Sequence, residues 1–227
     1  MKAVVLLSVG LDSTTVLRIA QKKGYQVSCL TFSYGQRHSI ELEAAKIIAK
    51  KYGIKDHRIA EIDLKIFGGS SITDLSLPLN QSGFLSDKIP SSYVPARNSI
   101  FLTYSLALAE VIGAEKIFIG INSLDYSGYP DCRPNYLKAF NELAKLATKA
   151  SVEQNIQIEV EAPLLYLSKA EIISLGLQLG VDYSITISCY QADNKGLACG
   201  LCDACVLRLE GFATNGLEDS ATYKRKN

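Results

Sequence analysis

Ser8, Gly10, Asp12, Ser13 and Thr14 crowd into seven positions near the start of the chain. Hydroxyls donate hydrogen bonds, and glycine lets backbone amides come close to a ligand. If a helix begins among them, its first N–H groups lack partners and carry about half a positive charge, which makes an anion site. Asp12 is out of place beside an anion unless it caps the helix or holds a metal ion that bridges phosphates. A capped helix with no ligand is the plainer reading of the same residues.

A second cluster lies near the other end. Cys189, Cys199, Cys202 and Cys205 fall within seventeen residues, with spacings of nine, two and two. Four thiolates hold a tetrahedral Zn²⁺, and a complete set leaves no open position, so such a metal is structural. A redox C-x-x-C pair or an iron–sulfur cluster would use the same residues. Arg208 and Lys195 could offset the negative charge of this site. Cys29 and Cys132 stand alone and read as small buried residues. His38 and His57 are too few and too far apart to suggest a histidine metal site.

The third stretch is the loop from Asn122 to Arg133. It holds Asp125, Tyr126, Tyr129 and Asp131 as well. Tyrosine faces stack on flat rings, while carboxylates and amides read ring edges. That suits a planar heterocycle with donor N–H groups, such as a guanine-like base. A solvated loop that uses Gly128 and Pro130 for its turns is the alternative.

The elements that must position these groups follow from periodicity. Residues 3–7 are a continuous apolar run, as in a strand buried on both faces of a parallel sheet. Val16, Leu17, Ile19 and Ala20 then recur at helical spacing up to Gly24. Further strands are expected over 26–32, 57–62, 116–121 and 156–160. Helices are expected over 39–52, 99–112 and 136–150, and a capping box of Ser168 and Glu171 opens another that reaches about residue 179. Residues 68–92, rich in Gly, Ser, Pro, Asn and Asp, show no period, and a loop of that length is usually functional.

The fold class is therefore α/β, with a doubly wound, mostly parallel sheet, helices on both faces and a small C-terminal zinc-binding segment. Residues 1–183 form the nucleotide-binding domain, 184–215 the cysteine segment packed on it, and 216–227 a polar tail expected to fray. In such sheets ligands bind beyond the carboxyl ends of the strands. The loops after the first, second and fourth strands would meet there.

The chain has 227 residues, 48% of them hydrophobic, and a net charge of +1. Nothing in that balance suggests a large basic face, so nucleic acid is not an expected partner. No apolar run approaches the ~20 residues of a membrane helix, so no membrane partner is expected. The first strand is too short, and too soon polar, to be a signal peptide. Clustered cysteines in a chain that does not need disulfides point to the cytoplasm.

Resemblance adds to this. The run Ser8-Val9-Gly10-Leu11-Asp12-Ser13 resembles the S-G-G-x-D-S loop of the ATP pyrophosphatase superfamily. Val9 stands where the first of the two glycines is usual, which bears on the close backbone approach there; an ordinary β conformation is open to it if its amide still points inward. Over residues 2–211 the chain resembles the QueC family of 7-cyano-7-deazaguanine synthases. The resemblance lies in Tyr34-Gly35-Gln36-Arg37-His38, in Val94-Pro95-Ala96-Arg97-Asn98 and in Gly120 with Asn122. It continues through the run from Asp125 to Arg133, Ser188-Cys189-Tyr190 and the three trailing cysteines. Ile187 stands where the family often has Trp.

The resemblance implies a ligase of the queuosine pathway. It turns 7-carboxy-7-deazaguanine and ammonia into the nitrile with ATP, through an acyl-adenylate and then an amide. By the same implication Ser8, Val9, Gly10, Leu11, Asp12, Ser13 and Thr14 bind ATP, with Mg²⁺ on the phosphates and near Asp12. The four cysteines hold Zn²⁺. Asp12, Arg97 and Lys169 serve catalysis. Tyr34, Gln36, Arg37, Asp125, Tyr126, Asp131 and Arg133 hold the deazaguanine, and the assembly is a homodimer. The competing readings are another amide-forming synthetase of the superfamily, a tRNA-modifying thiolase and a zinc-bearing nucleotide-binding regulator. A thiolase would need a catalytic cysteine near the phosphates.

Overall fold

A computed structural model describes residues 1–35, 40–74, 76–77, 89–124 and 129–224. Five strands, β1 (Lys2–Leu6), β2 (Gln26–Ser33), β3 (Asp56–Glu61), β4 (Lys116–Phe118) and β5 (Glu159–Glu161), form one sheet in the order β3-β2-β1-β4-β5. Each neighbouring pair is parallel. The doubly wound α/β architecture is thus as the sequence predicts.

Side chains alternate across β1, and both faces are covered. Ala3, Val5 and Leu7 face one core, built with Val16 and Leu17 of α1 (Leu11–Lys22) and Ala45 and Ile48 of α2 (Ile40–Lys51). Ile172 and Ile173 of α6 (Lys169–Gln178) and Phe212 of α7 (Asp203–Thr214) complete it. Val4 and Leu6 face the other core, with Leu102 and Leu106 of α3 (Arg97–Ile112) and Phe140 and Ala144 of α4 (Pro134–Ala147). The two loops that leave β1 and β4 therefore diverge to opposite faces, and a crevice opens between them at the point where the strand order reverses.

Three expectations about elements change. The helix expected over 136–150 is broken at Thr148, whose backbone is extended and whose hydroxyl caps the short α5 (Lys149–Gln154) by accepting from Ser151 N. The fourth strand is paired only over Lys116–Phe118, although the Ile119 amide still reaches Glu161 O at 3.0 Å. Helix α7 is an addition that the cysteine spacing concealed.

The tail does not fray through Lys224. Ala198 N donates to Thr222 O and Lys224 N to Ala198 O, both at 2.9 Å, so the tail lies as a parallel bridge along the cysteine segment. That segment has its own small core of Cys189, Ala192, Ala198, Cys202, Ala204 and Cys205. Ile187 packs against both this core and the sheet.

Candidate active site

A cavity of about 220 Å³ opens at the carboxyl ends of β1, β2 and β4. Its floor is the loop between β1 and α1. Gly10 is the N-cap of α1 and offers no side chain to its first amides. Ser13 Oγ donates to Gly10 O at 3.2 Å and accepts from Ser8 N at 3.1 Å, which curls the loop around its own centre. Ser8, Val9, Gly10, Leu11, Asp12 and Ser13 all line the cavity. Thr14 is fully buried and gives its hydroxyl to Gly10 O at 3.0 Å. It supports the loop from behind rather than facing the cavity.

Val9 departs from expectation. Its φ is 60°, in the left-handed region, not the β region. A β-branched residue there costs about 1–3 kcal/mol. It is held in place because its side chain is buried in the main core and its carbonyl accepts from Ile187 N at 3.0 Å.

Gly120, just after β4, closes the loop from the other side. A Cβ there would lie 3.1 Å from Ser13 N and 3.2 Å from the carbonyl carbon of Asp12, both backbone atoms. Only glycine lets strand end and loop approach so closely. Asn122, two residues on, is fully buried. It donates to the carbonyls of Leu164 and Leu167 and accepts from Leu124 N. These bonds fix the chain leading into α6, whose first residue is Lys169.

Lys169 is buried and reaches across to α1. Its Nζ lies 2.7 Å and 2.9 Å from the two carboxylate oxygens of Asp12. A Cβ on Gly211 of α7 would lie 2.7 Å from Lys169 Cγ, so α7 can pack over the lysine stem only because that position is glycine. The capping box of Ser168 and Glu171 is present and starts α6 at this lysine.

Arg97, the first residue of α3, lies on the opposite wall. Its guanidinium sits 6.0 Å from the Tyr34 ring centre. Ala96 before it is also left-handed, at φ 53°, and its amide donates to the Tyr93 hydroxyl at 3.0 Å. Burial works against a charge on Arg97, but Tyr34, Tyr129 and Asp131 more than offset this, so it stays a cation. Phe32, Tyr34, Phe101 and Tyr129 make the aromatic side of the cavity. Phe32 and Phe101 stack with their ring centres 4.1 Å apart.

Two expected substrate contacts do not line the cavity. Asp131 is buried, and its carboxylate accepts from Asn98 N at 3.1 Å, so it caps α3 from outside. Burial pushes its pKa up, against the pull of the Asn98 amide and Arg97. Arg133 is the exposed N-cap residue of α4. Gln36, Arg37, Asp125 and Tyr126 lie outside the described residues.

Other residues enter the cavity unannounced by any catalytic reading. Glu41, Ser188, Tyr190 and Arg208 line it. Ser188 and Tyr190 were visible as neighbours of Cys189. Arg208 lies three residues after Cys205, so the two share a helix face once α7 is known. Its hydrogen bonds go to oxygen atoms and not to the sulfurs whose charge it was expected to offset. It pairs with Asp219 through Nε at 2.7 Å and a terminal nitrogen at 2.9 Å.

The four sulfurs of Cys189, Cys199, Cys202 and Cys205 lie within 4.8 Å of one another. Those of Cys199 and Cys205 are 4.0 Å apart, as are those of Cys189 and Cys202. Tetrahedral Zn²⁺ with Zn–S of about 2.3 Å requires S···S of about 3.8 Å. Backbone amides also point at sulfur: Gln191 N and Cys199 N at Cys189 Sγ, both 3.2 Å, and Cys202 N at Cys199 Sγ, 3.3 Å. Hydrogen bonding to Cys189 and Cys202, then burial, drives the Cys205 pKa far up. Cys205 therefore stays a thiol unless a cation stands among the sulfurs. The donor set fits a metal ion.

The family model described as queuosine biosynthesis protein QueC matches residues 2–216. A 7-cyano-7-deazaguanine synthase from Hydrogenovibrio crunogenus is 54% identical over 222 residues, which cover 98% of this chain and 95% of that one.

The chain belongs to the QueC family.

A second family relative, from Desulfatibacillum aliphaticivorans and of the same name, is 56% identical over 98% of this chain and 96% of its own. Among solved structures, an NMN synthetase from Francisella tularensis matches 96% of this chain and 78% of its own, with TM-score 0.51 at 18% identity. A 4-thiouridine synthetase solved with RNA and bound ATP matches 98% of this chain and 47% of its own, with TM-score 0.51 at 22% identity. These likenesses are of fold alone. Among the described residues, no helix is long and apolar enough to cross a membrane.

Proposed function

We propose that this QueC-family chain is an ATP-dependent carbon–nitrogen ligase that converts 7-carboxy-7-deazaguanine and ammonia to 7-cyano-7-deazaguanine. The observation that carries this reading is one cavity with two unlike halves. One half is the loop of residues 8–13 with the Lys169–Asp12 pair. The other is an aromatic wall of Tyr34, Phe101 and Tyr129 with the Arg97 cation.

A carboxylate is a poor electrophile, so its oxygen must first be made a leaving group. In this mechanism a carboxylate oxygen attacks the α-phosphorus of ATP and pyrophosphate departs. The loop of residues 8–13, at the N-terminus of α1, holds the departing phosphates. Arg97 and Lys169 stabilise the negative charge that develops there. Ammonia adds to the activated carbon, AMP leaves with the C–O bond electrons, and one proton goes to solvent. The amide oxygen then attacks the α-phosphorus of a second ATP, pyrophosphate departs, and loss of AMP and the two remaining N–H protons gives C≡N. Catalysis rests on positioning and electrostatics, with no covalent protein intermediate.

Asp12 would hold Mg²⁺ on the phosphates. A carboxylate has about four lone-pair sites, and Lys169 uses two. The ion supplies charge neutralisation on the phosphates when bound. The four cysteines would hold one Zn²⁺ per chain, as a structural ion. Tyr34, Gln36, Arg37, Asp125, Tyr126, Asp131 and Arg133 remain assigned to the deazaguanine, with Asp131 acting through Asn98 and Arg97 rather than by contact. The assembly is a homodimer of a cytoplasmic protein.

The thiolase reading loses support here. Burial pushes the Cys132 thiol, which lines the cavity, up to about 12. It is not a thiolate at neutral pH. Incubation with the acid, MgATP and ammonium tests the proposal, which requires AMP to accumulate only when all three are present.

A further inference from the structure

Ser188 sits between the phosphate loop and α7. Its Oγ accepts from Leu11 N at 3.3 Å, the first amide of α1. It also accepts from a terminal nitrogen of Arg208 at 3.3 Å. A hydroxyl has two acceptor lone pairs and one donor hydrogen. With both lone pairs engaged, the hydrogen is the remaining bonding capacity of Ser188. The residue is half-buried and lines the cavity beside residues 8–13.

Arg208 is built to hold that arrangement. It is only 3% exposed. One terminal nitrogen donates to Thr186 Oγ1 at 2.7 Å and the other to Tyr183 O at 2.8 Å. Asp219 takes two of its donors, and the Tyr223 hydroxyl donates to the same carboxylate. A guanidinium with five fixed donors, anchored on four sides, has one N–H left for Ser188 Oγ, shared with Thr186 O at 3.4 Å. A hydroxyl that accepts from a cation is also a stronger donor.

We propose that Ser188 is a phosphate-binding residue of the ATP site, which donates its hydroxyl hydrogen to the polyphosphate, and that Arg208 and Asp219 are its positioning residues. The tail through Asp219 thereby becomes part of the nucleotide site. The inference rests on the ATP-dependent reading above and adds to it a donor outside the loop of residues 8–14.

The test is titration calorimetry of the metal-loaded protein with MgATP, magnesium pyrophosphate and adenosine. Ser188→Ala should weaken MgATP and pyrophosphate about tenfold or more, as expected for a lost charge-assisted hydrogen bond, and leave adenosine unchanged. Ser188→Thr, which keeps the hydroxyl, should restore most of the affinity. Asp219→Asn should weaken the same two ligands by a smaller factor. Equal weakening for adenosine would make Ser188 a structural residue and overturn the proposal, as would unchanged MgATP affinity in Ser188→Ala. A wild-type protein that binds neither MgATP nor pyrophosphate would instead overturn the ATP reading itself.

Discussion

Both carboxylate oxygens of Asp12 accept from one atom, the Nζ of Lys169, at 2.7 and 2.9 Å. The two residues are 157 positions apart and each opens a helix, α1 and α6. Their pairing explains how an acid can stand in a loop shaped for phosphates. Lys169 cancels its charge, and the pair can redistribute when a polyanion with its cation arrives.

Removing one member of this pair should separate chemistry from folding. Asp12→Ala should lower kcat by about 10²-fold or more, because the carboxylate that would hold Mg²⁺ on the phosphates is lost. It should leave the circular dichroism spectrum and bound metal unchanged. Retained turnover would remove Asp12 from the mechanism. Lys169→Met should destabilise by about 1–3 kcal/mol, less than for a fully buried pair, since the cavity gives Asp12 some solvent.

Gly120→Ala adds a single methyl where the nearest atoms are the backbone of Ser13 and Asp12. Backbone cannot rotate away as a side chain can, so the loop must shift. MgATP affinity should fall at least tenfold, a loss of about 1.4 kcal/mol. Calorimetric titration reads this directly, and wild-type affinity would mean that the loop tolerates displacement.

Val9 offers a contest of two comparable terms. Val9→Gly removes about 1–3 kcal/mol of left-handed strain. It also loses about 1.5–3 kcal/mol of buried side chain and 0.5–1 kcal/mol of backbone freedom. Denaturant unfolding should therefore place Val9→Gly within about 3 kcal/mol of wild type. A loss above about 4 kcal/mol would show that the valine packs far better than its strain costs.

Burial alone would raise the Asp219 pKa, but the hydrogen bond and charge of Arg208 outweigh it and hold it below the usual value of 3.8. A carboxylate with a depressed folded pKa stabilises the fold above its unfolded pKa. It loses that contribution as pH falls through the folded value. Wild type should thus lose stability below about pH 4 that Asp219→Asn does not lose. Parallel acid limbs for the two proteins would contradict the pairing.

Much of this site is legible in the chain because its parts are local. The phosphate loop, the capping box before Lys169 and the cysteine spacing each lie within a few residues, and strand β1 announces itself by being apolar on both faces. What is not legible depends on distant pairing. Nothing near Asp131 says that its carboxylate will cap α3, and nothing near Arg208 predicts Asp219 as its partner. The left-handed φ of Val9 is hidden for a different reason: local preference argues against it, and the core on one side and Ile187 on the other override that preference.

Mass spectrometry of one reaction tests the central claim most directly. Metal-loaded protein is incubated with 7-carboxy-7-deazaguanine, MgATP and ¹⁵N-ammonium, and the heterocycle and nucleotide products are read together. The account predicts a nitrile carrying one ¹⁵N, a transient labelled amide before it, and AMP rather than ADP. Folded, metal-loaded protein that yields no labelled nitrile would contradict it.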